Sequence, residues 1–242
     1  MTVSISIREA FGKELVRLGK KNKKIVAVSC DLKDACKLSF FFEKYPKRSF
    51  EVGIAEANAV GIAAGLSMSG FRPFLASFAS FITGKNVEIR TSISYNKCGV
   101  VIVGTHGGLI GPDGATQSSV QDVAVMRSLP YFEIIQPSSP LETKQITAYS
   151  ASSKKPTYLR IARNEVTEFL PKNYKFKIGY PSLIKKGKVN LVISSGPMLS
   201  NCVAAVKKTN KDIGILNLSS IKPLNEKHML KILKNYKNII TV

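Results

Sequence analysis

No uninterrupted apolar run in the sequence approaches the roughly 18 residues of a membrane-spanning helix. Lys, Gly or Ser breaks each of its short apolar segments. This predicts a soluble protein with no membrane partner. No leader is expected either: MTVSISIREAFGKELV meets Arg8 and Glu9 before an apolar core can form, so the expected location is cytoplasmic. Cys30, Cys36, Cys98 and Cys202 form no CxxC metal pattern and are expected to be reduced thiols. Acidic residues are scarce, 16 against 36 Lys and Arg, for a formal charge of +20. The lysines cluster in KKNKK (20–24), KK (154–155), KKGK (185–188) and KKTNK (207–211), flanking expected elements rather than forming one stripe interleaved with aromatics. That distribution favours a solvated basic surface over a nucleic-acid footprint.

With 242 residues, 44% hydrophobic and 21% charged, the chain suits one globular domain, or one plus a smaller one, and excludes a largely disordered polypeptide. Repeats and low-complexity tracts are missing, and helix-like and strand-like segments alternate throughout, the signature of an α/β fold. Ile7, Phe11, Leu15 and Leu18 predict a helix over 5–20, followed by strand 25–29, a short aromatic helix around Phe40–Phe42 and a strand at 49–52. The next helix, Ala55 to Ser69, is almost all Ala, Gly and Ser, so another backbone can approach it closely, as in an interior or a subunit interface.

Strands at 72–77, 99–104, 131–136 and 157–162 are expected to alternate with helices at 84–95, 119–128 and 139–150. Their unbroken apolar runs predict burial on both faces, hence a largely parallel sheet covered by helices on both faces. Residues 1–166 are the expected main domain and 167–188 a linker with a strand or two. Residues 189–242 form a small α/β unit, with strands at 190–195 and 212–218 and at NIITV, and helices near 199–208 and 226–235. That unit is expected to be cut short or completed by another chain.

Ligands of open parallel sheets bind beyond the carboxyl ends of strands, which directs attention to the loops CDLKDA, GIAEAN, THGGLIGPDGATQ and ARN. Glu56 opens a helix, where the dipole favours a carboxylate; it reads either as an ordinary first-turn residue or as a proton-handling group. His106 lies in a glycine-rich loop whose backbone N–H groups can approach a ligand, and it could donate to a phosphate or sugar oxygen; a plain turn carrying a surface histidine is the alternative. Taken alone, Asp31 reads as a turn residue, Phe78 and Phe81 as core, and Arg8 and Arg163 as surface charges.

In order along the chain, the segments FEVGIAEANAVGIAAGLSMSGFRPFLASFASFITGKNVEIRTSI, VGTHGGLIGPDGATQSSVQDVAVMRSLP and YLRIARN resemble the pyrimidine-binding half of transketolase, in the branch where the enzyme is split into two chains. The resemblance covers about residues 5–165, and the remainder is similar to the first half of the family's C-terminal domain. It implies a thiamine-diphosphate site formed between two chains, a self-associating assembly, and transfer of a two-carbon ketol unit between sugar phosphates. Glu56 matches the glutamate held against the cofactor's aminopyrimidine, Phe78 and Phe81 the aromatic residues that pack on that ring, and Asp31 an acidic residue near cofactor and donor. Arg8, His106, Asp113 and Arg163 match residues directed at the sugar phosphate and its hydroxyls, with His106 also supporting the reaction.

Departures accompany the match. Gln117 ends DGATQ where the family has a histidine at the reacting carbonyl or hydroxyl, and glutamine cannot shuttle a proton. The stretch from His106 to Asp113 is one residue short, and Ala57 replaces a polar residue. The family's GDG motif with a later Asn, which holds diphosphate and Mg2+, is missing, so an N-terminal partner subunit is expected to supply the Mg2+ ligands. Alternatives are a fragment similar to 1-deoxy-D-xylulose-5-phosphate synthase, which has Arg where this chain has His106, and a non-catalytic assembly or polyanion-binding protein.

Overall fold

Residues 4–109, 113–209 and 211–242 are described by a computed structural model; Ile110–Pro112 of the glycine-rich loop and Asn210 of KKTNK lie outside the described residues. In chain order the first elements are β1 (Ser4–Ser6), α1 (Ile7–Lys21), β2 (Ile25–Ser29), α2 (Ser39–Lys44), β3 (Ser49–Glu51), α3 (Glu56–Met68), β4 (Arg72–Phe78) and α4 (Ala79–Thr83). Then come α5 (Asn86–Glu88), β5 (Val101–Thr105), α6 (Asp122–Ser128), β6 (Glu133–Ile135), α7 (Pro140–Ser152), β7 (Thr157–Ile161) and β8 (Glu165–Thr167). The last are β9 (Ser182–Lys185), β10 (Asn190–Ser194), α8 (Met198–Thr209), β11 (Ile213–Asn217), β12 (Ser220–Lys222), α9 (Glu226–Leu233) and β13 (Asn238–Thr241).

The apolar runs form a seven-stranded sheet in the order β12-β6-β7-β5-β4-β2-β3, parallel except for β12. Alternate residues of each strand enter different cores, as the two-residue repeat of a strand dictates. Val28, Leu75, Ile102 and Ile134 pack with Ala59, Val60, Ala63 and Ala64 of α3 and Met126 of α6. Phe74, Ala76, Val101, Val103 and Leu159 pack on the other side with Ile7, Phe11 and Leu15 of α1 and Ile146 of α7. The expected helix at 84–95 is instead the short α5 running into a π-helical segment, Ile89–Ser94, that turns Ile89 and Ile93 into the first core.

Only one side of α3 is buried; Ala57, Asn58, Gly61, Gly65 and Met68 are exposed, and beyond Gly61 and Gly65 lies open space. The close backbone partner its small residues allow is therefore not supplied from within this chain among the described residues.

A second sheet has the order β13-β10-β11-β9. β9, from the stretch read as a linker, pairs antiparallel with β11, while β12, from the C-terminal unit, crosses back to pair with β6 of the large sheet. Glu142 joins the two units. Buried in the first turn of α7, it accepts from the Ser138 N–H and hydroxyl at 2.8 and 2.6 Å, from the Asn217 amide at 2.9 Å and from the Tyr174 hydroxyl. Four donors offset the cost of burying this carboxylate.

All four cysteines are buried and free. No helix among the described residues is long and apolar enough to cross a membrane.

Candidate active site

Because β2, β4, β5 and β7 run parallel, their carboxyl ends bring Asp31, Phe78, His106 and Arg163 to one edge of the sheet. Glu56 opens α3 at the same edge, 7% exposed, and its Oε1 accepts the Ser77 hydroxyl at 2.9 Å. No protein donor reaches Oε2 among the described residues. Next to Ser77 in the chain, Phe78 stacks on Phe81 with ring centroids 5.4 Å apart, both half-buried. The Phe78 ring also meets the His106 ring, tilted, with centroids 4.0 Å apart.

His106 is 3% exposed and follows β5 with φ +58°, a left-handed backbone unusual for a side chain of its size. Its Nδ1 lies 3.0 Å from the Thr105 hydroxyl, and its Nε2 3.3 Å from Nη1 of Arg8, in the first turn of α1. Burial, with Arg8 and Arg163 adding to it and Asp113 opposing, pulls the imidazole pKa down to about 4, so the ring is neutral at pH 7. Arg8 also donates to the Ala35 carbonyl at 2.8 Å, while its Nε is buried with no hydrogen-bond partner. No carboxylate pairs with Arg8 among the described residues, whereas Arg163 pairs directly with Asp113. Of the two expected phosphate-binding arginines, Arg8 is thus the less committed.

The loop that follows His106 packs on an ion pair whose carboxylate is buried. Asp122 is fully buried, accepts from Arg160 Nε at 2.7 Å and Nη2 at 3.2 Å, and takes the Tyr158 hydroxyl at 2.8 Å. A side chain at Gly107 would place its Cβ 2.6 Å from Arg160 Nε, and one at Gly104 would lie 2.3 Å from the Tyr158 hydroxyl, so both positions require glycine.

The remaining expected residues lie further out. Asp31 is exposed in a left-handed turn, its backbone N–H donating to Glu51 at 2.7 Å, and no hydrogen bond joins its carboxylate to the Arg8–His106 cluster among the described residues. Gln117 is anchored by its carbonyl, which accepts from Ser80 at 3.1 Å, while its amide oxygen accepts from Thr116 at 2.6 Å within its own turn. Ser77, Thr105, Asp122 and Arg160 escaped the reading of the sequence. Only Arg160 carried a usable signal, a charge inside the apolar strand TYLRI that demands a buried partner.

Family models match almost the whole chain: the transketolase pyrimidine-binding domain over residues 3–168 and the transketolase C-terminal domain over 179–242. The chain belongs to the transketolase family. It is 33% identical to a putative transketolase C-terminal section from Methanocaldococcus jannaschii, covering 93% of this chain and 73% of that one. It is 30% identical to one subunit of the apulose-4-phosphate transketolase of Phocaeicola vulgatus, covering 98% of this chain and 78% of that one. A 1-deoxy-D-xylulose-5-phosphate synthase from Clostridium tetani is also 30% identical, but this chain spans only 39% of its length. Among solved structures, one described as a split gene transketolase, inactive beta4 tetramer, superimposes with TM-score 0.90 at 34% identity over 99% of this chain and 80% of that one. Transketolase from Campylobacter jejuni, 17% identical with TM-score 0.84 over 100% of this chain and 42% of its own, shares the fold.

Proposed function

We propose that this transketolase-family chain is the pyrimidine-binding subunit of a split, thiamine-diphosphate-dependent transketolase that moves a two-carbon ketol unit between sugar phosphates in the cytoplasm. The observation carrying this reading is Glu56: a buried carboxylate with one oxygen held by Ser77, the chain neighbour of Phe78 in the half-buried Phe78–Phe81 stack, and the other free of protein donors among the described residues. That combination of a carboxylate acceptor and an aromatic stack suits a flat, amino-substituted nitrogen ring, which needs an acceptor at its edge and an apolar face against its plane. When bound, thiamine diphosphate supplies a carbon nucleophile that adds to the donor's carbonyl.

This chain's own groups then have separable tasks. Glu56 holds or exchanges a proton at a ring nitrogen, with Ser77 fixing the carboxylate's orientation. Arg8 takes the sugar phosphate through charge-assisted hydrogen bonds, with Arg163 and Asp113 at the rim, and Asp31 and Gln117 lie along the approach.

No group of three metal-ligating side chains comes together among the described residues. In this reading the diphosphate and Mg2+ are held by an N-terminal partner subunit. The Phocaeicola vulgatus relative, itself one subunit of a transketolase, supports a partner chain, and the neighbour described as an inactive beta4 tetramer supports self-association without activity. The exposed Gly61–Gly65 face of α3 offers a surface for such assembly. His106, rather than Arg, favours transketolase over the synthase.

Reconstitution tests the reading: the chain mixed with its partner, thiamine diphosphate and Mg2+ should transfer ketol units, and the chain alone should not. A pair with no transfer that instead binds RNA with steep salt dependence would favour the polyanion-binding alternative.

A further inference from the structure

The lysine clusters that flank separate elements along the sequence meet again in the fold. Because β2, β3, β4, β5, β6 and β7 all run parallel, the segments leading into them lie at one edge of the large sheet, opposite the edge that carries Glu56 and His106. From β7 across to β3, that amino edge presents Lys154 and Lys155, Lys97, Lys23 and Lys24, and Lys47, all exposed. Two aromatic rings stand in the same row: Tyr131 before β6, 53% exposed, and Phe71 before β4, 40% exposed. At the strand spacing of a sheet the row from β6 to β3 is about 24 Å long.

The charge there is of one sign. None of the segments 20–24, 46–48, 69–71, 95–100, 129–132 and 153–156 contains Asp or Glu. The one ion pair these lysines make among the described residues joins Lys155 to the buried Glu133 at 4.0 Å. Acids stand at the carboxyl edge instead, as Asp31, Asp34, Glu51, Glu56 and Asp113. A row of cations with no carboxylate between them makes a local positive potential rather than a uniform coat of charge.

The edge is also held together. Arg48 donates to the carbonyls of Gly19 at 2.9 Å and Ile25 at 3.3 Å, which ties the segment before β3 to the one before β2. Arg72 donates its backbone N–H to the Lys24 carbonyl at 2.8 Å and its guanidinium to the Lys155 carbonyl at 3.1 Å. Lys97 and Tyr131 hold left-handed backbones, φ +52° and +66°, a costly conformation for side chains of their size. Lys97 Nζ stands over the Tyr131 ring, 4.6 Å from its centroid.

Cations alone would suit any polyanion, a duplex or an anionic membrane included. Exposed flat rings within the row suit a single strand, whose unpaired bases stack on aromatic faces while its phosphates take the lysines. We propose that the amino edge of the large sheet binds single-stranded nucleic acid, with Lys23, Lys24, Lys47, Lys154 and Lys155 on its phosphates and Phe71 and Tyr131 under its bases. This surface lies on the far side of the sheet from the candidate active site and does not rest on the ketol-transfer reading.

Fluorescence anisotropy of a labelled oligouridylate of about 20 nucleotides, titrated with the full-length chain at several salt concentrations, tests it. The single strand should bind more tightly than a duplex of equal length, with log K falling as log salt rises. Lys23→Gln combined with Lys24→Gln should flatten that slope by about 0.7 per lysine removed. Tyr131→Ala and Phe71→Ala should each weaken binding by roughly 5- to 150-fold and leave the slope unchanged. Lys207→Gln combined with Lys208→Gln, on α8 of the smaller unit, should keep the wild-type affinity. A duplex bound as tightly as the single strand, an equal loss in the Lys207 and Lys208 variant, or phosphatidylserine vesicles that capture the chain while the oligouridylate does not, overturns the proposal. The comparison of single strand with duplex uses the wild-type chain and decides even where a variant fails to fold. Ketol transfer is read separately in the reconstituted pair, so either result can fail without the other.

Discussion

Glu56 and His106 are fastened to the same strand residue: the Ser77 hydroxyl donates to Glu56 at 2.9 Å, and the Ser77 carbonyl receives the Thr105 hydroxyl that in turn meets His106. The Glu56 carboxylate and the His106 imidazole therefore share one support in the middle of the sheet. Ser77→Ala should cost about 1.5–3 kcal/mol of stability, the scale of a hydrogen bond to a charged group. Urea unfolding reads that loss, and the reconstituted pair should lose kcat with little change in the KM for sugar phosphates.

Arg8 and Arg163 should not contribute equally. Arg8→Met removes a cation that no carboxylate partners among the described residues and should raise the KM for the donor sugar phosphate by roughly 10- to 100-fold. Arg163→Met removes a charge already paired with Asp113 and should raise it less. Steady-state kinetics of the two variants in the reconstituted pair gives the comparison.

Neutral, buried His106 makes stability depend on pH in a defined direction. The unfolded chain protonates this ring near its ordinary value of about 6.5, whereas the folded chain resists protonation until about 4. Between these values the unfolded state binds the extra proton, so this contribution to stability is lost as pH falls from about 6.5 and levels off near 4. Urea midpoints over that range should fall less steeply for His106→Gln than for the wild type.

Glu142 holds the smaller unit against the larger one, so Glu142→Ala removes the carboxylate acceptor of the Tyr174 hydroxyl and leaves the Asn217 amide only its 3.3 Å bond to Ser138. A loss of about 3 kcal/mol is expected for breaking a buried, multiply bonded charge. If the transition splits into two, the C-terminal unit should melt first, which calorimetry would resolve.

Much of the large sheet was legible because parallel strands buried on both faces leave unbroken apolar runs such as IVAVS and GVVIVG, and Ile7, Phe11 and Leu15 mark α1 by their spacing. β12 was not, because three residues, Ser-Ile-Lys, carry no periodicity and their partner lies in the other unit. At the site, Arg8 stood out only through motif resemblance, while the helix start at Glu56 and the glycine-rich loop at His106 drew attention by themselves but left an ordinary first-turn residue and a surface histidine as alternative readings. Ser77 and Thr105 were hidden for a different reason. Inside strands they look like sheet formers, and their role arises from cross-strand neighbours that sequence spacing does not reveal. The pairing of Asp113 with Arg163, 50 residues apart, was invisible for the same reason.

The central claim is that Glu56 of this chain meets the ring of a cofactor whose phosphates a partner chain secures. Ketol transfer by the reconstituted pair, compared between wild type and Glu56→Gln at saturating thiamine diphosphate and Mg2+, tests it most directly. The account predicts transfer only in the wild-type pair, with kcat of the variant lower by roughly 100- to 10,000-fold. An undiminished Glu56→Gln pair, or full activity of this chain without its partner, would contradict it.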